Sequence, residues 1–212
     1  MTSTSGRLPP GPWGDRRRRR IGLLGGSFNP AHAGHLHVAH CAVRALRLDE
    51  VWLMVSPGNP LKPKRGMAPL AERLASARRI ADGRRVKATA IEAGLGTRFS
   101  ADTLALLAKR FPRASFVFLV GADNLEQLPR WRRWRAMLRA TRLAVLPRPG
   151  FTRRALRGAA AAVLAPYRRR PGALWDAAAG RGHAPWCVVP AREHPASATA
   201  IRVAVARGAA PA

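Results

Sequence analysis

Apolar residues fall along the chain in short blocks, and the stretches between them carry helical spacing. Residues 21–25 (Ile-Gly-Leu-Leu-Gly), 51–55 (Val-Trp-Leu-Met-Val), 115–120 (Ser-Phe-Val-Phe-Leu-Val), 143–146 (Leu-Ala-Val-Leu) and 186–189 (Trp-Cys-Val-Val) are too short for helices. Their apolar runs read as buried strands, and residues 86–91 add a sixth. Helical spacing covers 33–48, 69–81, 100–110, 132–139 and 199–206. Pro69 suits a first helical turn, and Ser100 is placed to cap the helix it opens. Gly and Pro punctuate the joints, as in Ser56-Pro57-Gly58-Asn59-Pro60 and around Pro147 and Pro149. Strands alternating with helices predict βαβ units, hence a parallel sheet with its ligand at the carboxyl edge of the strands. Residues 151–183, Ala- and Arg-rich and broken by Pro166 and Pro171, read as helix plus loop without chemistry of their own.

Composition narrows the class. The 212 residues are 47% hydrophobic and 23% charged, which is globular. No apolar run approaches the roughly eighteen residues of a membrane span, so no membrane partner is expected. Lys and Arg number 38 against 11 Asp and Glu, a formal net charge of +27, and only Lys62, Lys64, Lys87 and Lys109 are lysines. A field so positive attracts polyanions, although GC-rich coding gives the same Arg- and Ala-heavy surface. Cys41 and Cys187 are too few for a disulfide framework, and the short apolar run after Arg16–Arg20 lacks a signal cleavage site; the chain reads as cytoplasmic. Residues 1–20 are expected to form a basic leader, disordered over 1–15, and residues 21–212 one domain.

The chemistry concentrates where the first strand gives way to a helix, at Gly25-Gly26-Ser27-Phe28-Asn29-Pro30-Ala31-His32-Ala33-Gly34-His35. Gly25 and Gly26 let a nucleotide lie against the backbone, and Ser27 offers a hydroxyl to phosphate. Asn29-Pro30 turns the chain into a helix whose free N–H groups favour an anion. His32 and His35, three apart, project towards that anion and can donate to phosphoryl oxygens as charge builds there. A four-histidine metal site with His37 and His40 is disfavoured, because His35 and His37 point about 200° apart on a helix. No metal-binding residue is assigned. A second helix start, Ala196-Ser197-Ala198-Thr199-Ala200-Ile201-Arg202, supplies hydroxyls and a guanidinium one turn in.

The first segment lacks the Gly-Lys-Ser/Thr of a Walker loop and the G-x-G-x-x-G of a dinucleotide site. It resembles the His-x-Gly-His signature of the nucleotidyltransferase superfamily, with Asn29 where many members carry Asp. The second resembles that superfamily's Ile-Ser-Ser-Thr-x-Ile-Arg segment, with Ala198 in place of the second Ser. Further stretches resemble bacterial nicotinate-nucleotide adenylyltransferases across residues 21–202. These are Ser56-Pro57-Gly58-Asn59-Pro60-Leu61-Lys62, Met67 to Arg73, Glu92 with Thr97-Arg98-Phe99-Ser100-Ala101-Asp102-Thr103-Leu104, Gly121-Ala122-Asp123, and Leu128-Pro129-Arg130-Trp131.

That resemblance implies a Rossmann-like, doubly wound α/β fold of five to six parallel strands with flanking helices. It implies adenylyl transfer from ATP to nicotinate mononucleotide, giving nicotinate adenine dinucleotide and pyrophosphate in NAD biosynthesis. His32, His35 and Arg202 would be catalytic, and Gly25, Gly26, Ser27, Phe28, Gly121, Asp123, Ser197 and Thr199 would bind ATP. Lys62, Thr97, Phe99, Ser100 and Trp131 would bind the mononucleotide, the indole stacking on the pyridine ring. Mg²⁺ would arrive with ATP. Pantetheine-phosphate adenylyltransferases share the histidine logic but lack the Leu-Pro-x-Trp and Gly-x-Asp pairing. A nucleic-acid binder on the same fold would use the +27 charge and the Arg130–Arg135 stretch with its two tryptophans, yet no nucleic-acid motif is present. Self-association is left open.

Overall fold

The computed structural model describes residues 10–58, 66–176, 182–196 and 198–206. In chain order the first half runs Arg20–Gly26 (β1), Ala33–Ala45 (α1), Glu50–Val55 (β2), Leu70–Ile80 (α2), Val86–Thr89 (β3), Ile91–Leu95 (α3) and Ser100–Arg110 (α4). The second runs Ser115–Gly121 (β4), Ala122–Gln127 (α5), Trp134–Ala140 (α6), Arg142–Leu146 (β5), Thr152–Leu156 (α7), Ala159–Leu164 (α8), Trp186–Val188 (β6) and Ala198–Ala206 (α9). All pairings are parallel, in the order β3-β2-β1-β4-β5-β6. The doubly wound α/β sheet expected from the alternation is therefore present, with six strands. Its order reverses between β1 and β4, which opens a crevice at their carboxyl ends.

The apolar runs look continuous because both faces of the sheet are covered. Within them the side chains still alternate. Leu23, Trp52, Met54, Phe118, Val120, Leu143, Val145 and Trp186 pack on the face of α3 to α8. Leu24, Val51, Leu53, Val117, Leu119, Ala144 and Cys187 pack on the face of α1 and α2. Gly22 is required by closeness: a Cβ there would lie 2.7 Å from a Leu48 methyl and 2.9 Å from one of Leu119.

The third strand is shorter than its apolar pattern, because it ends at Thr89 and Ile91 opens α3. The Thr89 hydroxyl accepts the Ile91 N–H at 3.1 Å, which turns the backbone out of the ladder. Ser100 is the first residue of α4 and not its cap; Phe99 holds that position in extended backbone. The helix expected at 132–139 starts at Trp134, after Arg133 adopts a left-handed conformation with φ 56°. α5 is absent from the hydrophobic pattern because its six residues span less than two turns.

Residues 10–19, assigned to the leader, lie against the fold. The Thr89 hydroxyl donates to the Pro10 carbonyl at 3.2 Å, and the Pro12 ring packs over Gly94. Asp15 pairs with Arg17. Residues 1–9 lie outside the described residues. At the amino edge of the sheet, Lys87 and Glu50 form a buried ion pair of 2.5 Å.

Candidate functional site

The carboxyl ends of β1 and β4 floor a cavity of about 450 Å³. Gly25 and Gly26 end β1 there, and a Cβ on Gly26 would press on the Phe28 ring at 3.2 Å. Phe28, expected at ATP, is on the cavity wall but only 1% exposed. Its ring centroid sits 4.8 Å from that of His35, so the ring backs the histidine.

His32 occupies the N-cap of α1, in extended backbone. Its N–H donates to Nδ1 of His35 at 3.1 Å. An accepting Nδ1 places the ring proton of His35 on Nε2, so the neutral tautomer has a fixed donor. The two imidazoles lie with centroids 3.8 Å apart. Gly34 makes this packing possible, since a Cβ would come within 3.0 Å of the His32 ring. Burial, reinforced by the charges of Arg148 and His194, pushes the His32 pKa down to about 4. Its Nδ1 is buried without a hydrogen-bond partner. A neutral, partly desolvated imidazole beside cations is a site in want of an anion.

The far wall comes from later elements. Gly121, Asp123 and Asn124 follow β4, and Arg148 follows β5. Arg148 reaches Asp123 Oδ2 at 3.3 Å, while Asp123 Oδ1 is buried and unpartnered. Thr199 and Arg202 close the cavity from α9. One Arg202 Nη donates to the Asn29 carbonyl and the other to the Thr199 hydroxyl at 3.2 Å. The fold therefore joins the two segments that the sequence separates by more than 160 residues.

A second cavity, about 220 Å³, opens on the other side of the same floor. Gly25, Gly26, Ser27 and Asn124 line both. Phe99, Ser100 and Trp131 line the second, with Arg98, Arg130 and Arg132. The Arg132 guanidinium lies 4.7 Å over the Phe99 ring, and Trp131 meets Phe118 edge-on. Thr97, expected at the mononucleotide, is absent from the wall. It is buried, and its hydroxyl is 2.8 Å from that of Thr103, which donates to Glu92 Oε1 at 3.0 Å. This network supports the wall from behind. Burial raises the Glu92 pKa, and the Thr103 hydroxyl opposes that rise.

Lys62 and Ser197 lie outside the described residues. Sequence reasoning missed Arg148, His194 and Asn124. The signal available for Arg148 was its place directly after the fifth strand, in Leu146-Pro147-Arg148. Among the described residues no three His, Cys, Asp or Glu side chains are grouped to hold a metal ion, and no helix is long and apolar enough to cross a membrane.

Comparison with known proteins agrees with this geometry. Residues 23–204 match the cytidylyltransferase-like family. A protein of Gluconobacter oxydans is 60% identical over 183 residues, 86% of this chain and 93% of its own. One of Gluconacetobacter diazotrophicus is 54% identical over 195 residues, 92% of this chain and 90% of its own. Both bear the name "probable nicotinate-nucleotide adenylyltransferase". The Plasmodium falciparum nicotinic acid mononucleotide adenylyltransferase, solved in complex with NaAD, shares the fold with a TM-score of 0.63 at 14% identity. That match covers 87% of this chain and 83% of the other. The chain thus belongs to the cytidylyltransferase-like family and, within it, to the nicotinate-nucleotide adenylyltransferases.

Proposed function

We propose that the protein joins ATP and nicotinate mononucleotide into nicotinate adenine dinucleotide and pyrophosphate, a step of NAD biosynthesis in the bacterial cytoplasm. The observation that carries this reading is the pair of cavities sharing Gly25, Gly26 and Ser27. ATP occupies the larger, the mononucleotide the smaller, and the two phosphates meet over the common floor. The mononucleotide phosphate attacks the α-phosphorus in line, an oxygen–phosphorus bond forms, and the bond to the β-phosphate oxygen breaks. The attacking oxygen is already anionic, so catalysis reduces to positioning and charge stabilisation.

His35 donates from Nε2 to the transferring phosphoryl group, and His32 Nδ1 gains the partner it lacks. Arg202 and Thr199 hold the leaving pyrophosphate, and Arg148 adds charge to the triphosphate. Asp123 Oδ1 accepts from the adenosine portion. In the smaller cavity, Trp131 and Phe99 face the pyridine ring while Ser100 and three arginines suit its carboxylate. Among the described residues, Asp123 is the one carboxylate on the larger cavity's wall. That donor set fits Mg²⁺ carried mainly by phosphate oxygens and water. When bound, the ion supplies neutralisation of triphosphate charge.

Pyrophosphate release from ATP, measured with nicotinate mononucleotide, nicotinamide mononucleotide and phosphopantetheine as competing acceptors, tests the reaction. The first should react fastest; a faster reaction with phosphopantetheine would refute the reading. His35→Ala should lower kcat more than tenfold with the fold intact, a loss of about 1.4 kcal/mol or more of transition-state stabilisation.

A further inference from the structure

Arg73, in the first turn of α2, is only 3% exposed, and its guanidinium is bonded to backbone carbonyls from three separate places in the chain. Nε donates to Ala68 at 2.8 Å. Nη1 donates to Ser27 at 2.8 Å and to Ser56 at 2.7 Å, and Nη2 reaches Pro57 at 3.5 Å. Ala68 precedes α2, Ser27 follows β1, and Ser56 and Pro57 follow β2. All eleven acidic residues of the chain are described, and none stands within ion-pair distance of this guanidinium. Burial lowers its pKa, with no neighbouring charge to offset that cost.

A buried cation held only by dipoles is an expensive way to stabilise loops, since apolar packing would serve at less cost. Its placement is informative. Ser27 lines both cavities and Ser56 lines the smaller, so the guanidinium sits behind the junction where the two phosphates meet. By drawing in the Ser27 carbonyl, it also turns the Phe28 N–H of the same trans peptide away from itself. We propose that Arg73 is a positioning residue for adenylyl transfer, its planar fork fixing the loops after β1 and β2 in the register that lets the two cavities share Ser27. This role presupposes the reaction proposed above. Lysine carries the charge but not the fork, and cannot hold three carbonyl directions in one plane.

Full-length wild type, Arg73→Lys and Arg73→Ala are compared by steady-state kinetics with ATP and nicotinate mononucleotide, alongside thermal melting. Arg73→Lys should lose at least tenfold in kcat while its KM for ATP stays within about threefold, because misplacement by about an ångström is paid in rate. Methylguanidinium at millimolar concentration should restore activity to Arg73→Ala, and methylammonium should not. Three results would overturn the role: a lysine variant with wild-type kcat, loss of folding in both variants, or a folded Arg73→Ala indifferent to methylguanidinium while lysine keeps full rate. A wild-type protein that releases no pyrophosphate from these substrates sinks the reaction itself, whereas an active wild type with unimpaired variants sinks only Arg73.

Discussion

Two buried cations lie near opposite edges of the sheet, and they are neutralised differently. Near the amino edge Lys87, 4% exposed, meets the Glu50 carboxylate at 2.5 Å, with Arg19 3.9 Å from the same carboxylate. Near the carboxyl edge Arg73 is equally buried and has only carbonyls. The contrast extends to their surroundings. Around the crevice stand Arg148, Arg202, Arg98, Arg130 and Arg132, against Asp123 and Glu92 alone. At the first edge the buried lysine is matched by a carboxylate and can be read as scaffold. The other leaves positive charge uncompensated, which two phosphorylated substrates would supply.

The largest expected effect breaks the scaffold edge. Glu50→Leu strands Lys87 as an unpaired buried charge and should cost about 3–5 kcal/mol in urea unfolding, with kcat per folded molecule unchanged. Adding Lys87→Met should recover most of that loss. Reduced turnover without reduced stability would erase the distinction between the edges. At the crevice the balance shifts: Trp131→Ala, which removes a half-buried ring from against Phe118, should lower the melting temperature less than Glu50→Leu does. Its KM for nicotinate mononucleotide should rise about two- to tenfold, the worth of roughly 0.5–1.5 kcal/mol of ring contact.

The smallest effect is the pH dependence of His32. Its folded pKa of about 4 lies below the ordinary 6.5, so between these values the unfolded chain binds a proton that the folded chain refuses. Stability from this residue is therefore lost as pH falls through that window. His32→Asn should melt with a shallower pH dependence between pH 6.5 and 4; an unaltered slope would show that the imidazole is not desolvated as described.

Much of this was legible because local spacing carries it. Residues 51–55 and 115–120 read as strands because each run is too short for a helix, rich in β-branched or aromatic residues and flanked by turn residues. Gly25 to His35 marked a candidate phosphate site through residue types whose chemistry is local. Thr97 sits behind the cavity wall because its hydroxyl belongs to a chain with Thr103 and Glu92 that only the turn after α3 assembles, a placement the sequence does not encode. Residues 10–15, with Pro10, Gly11, Pro12 and Gly14, suit disorder by composition, yet Gly94 leaves room for Pro12 to dock.

The order of strands and helices and the residue types at the two candidate helix starts were settled by the chain itself, because each depends on neighbours within a few residues. The meeting of Asn29 with Arg202, the two cavities over one floor and the carbonyl cage of Arg73 were decided by the tertiary structure. Those contacts join positions tens to more than a hundred residues apart, and no periodicity in a sequence encodes which distant carbonyl a guanidinium will find.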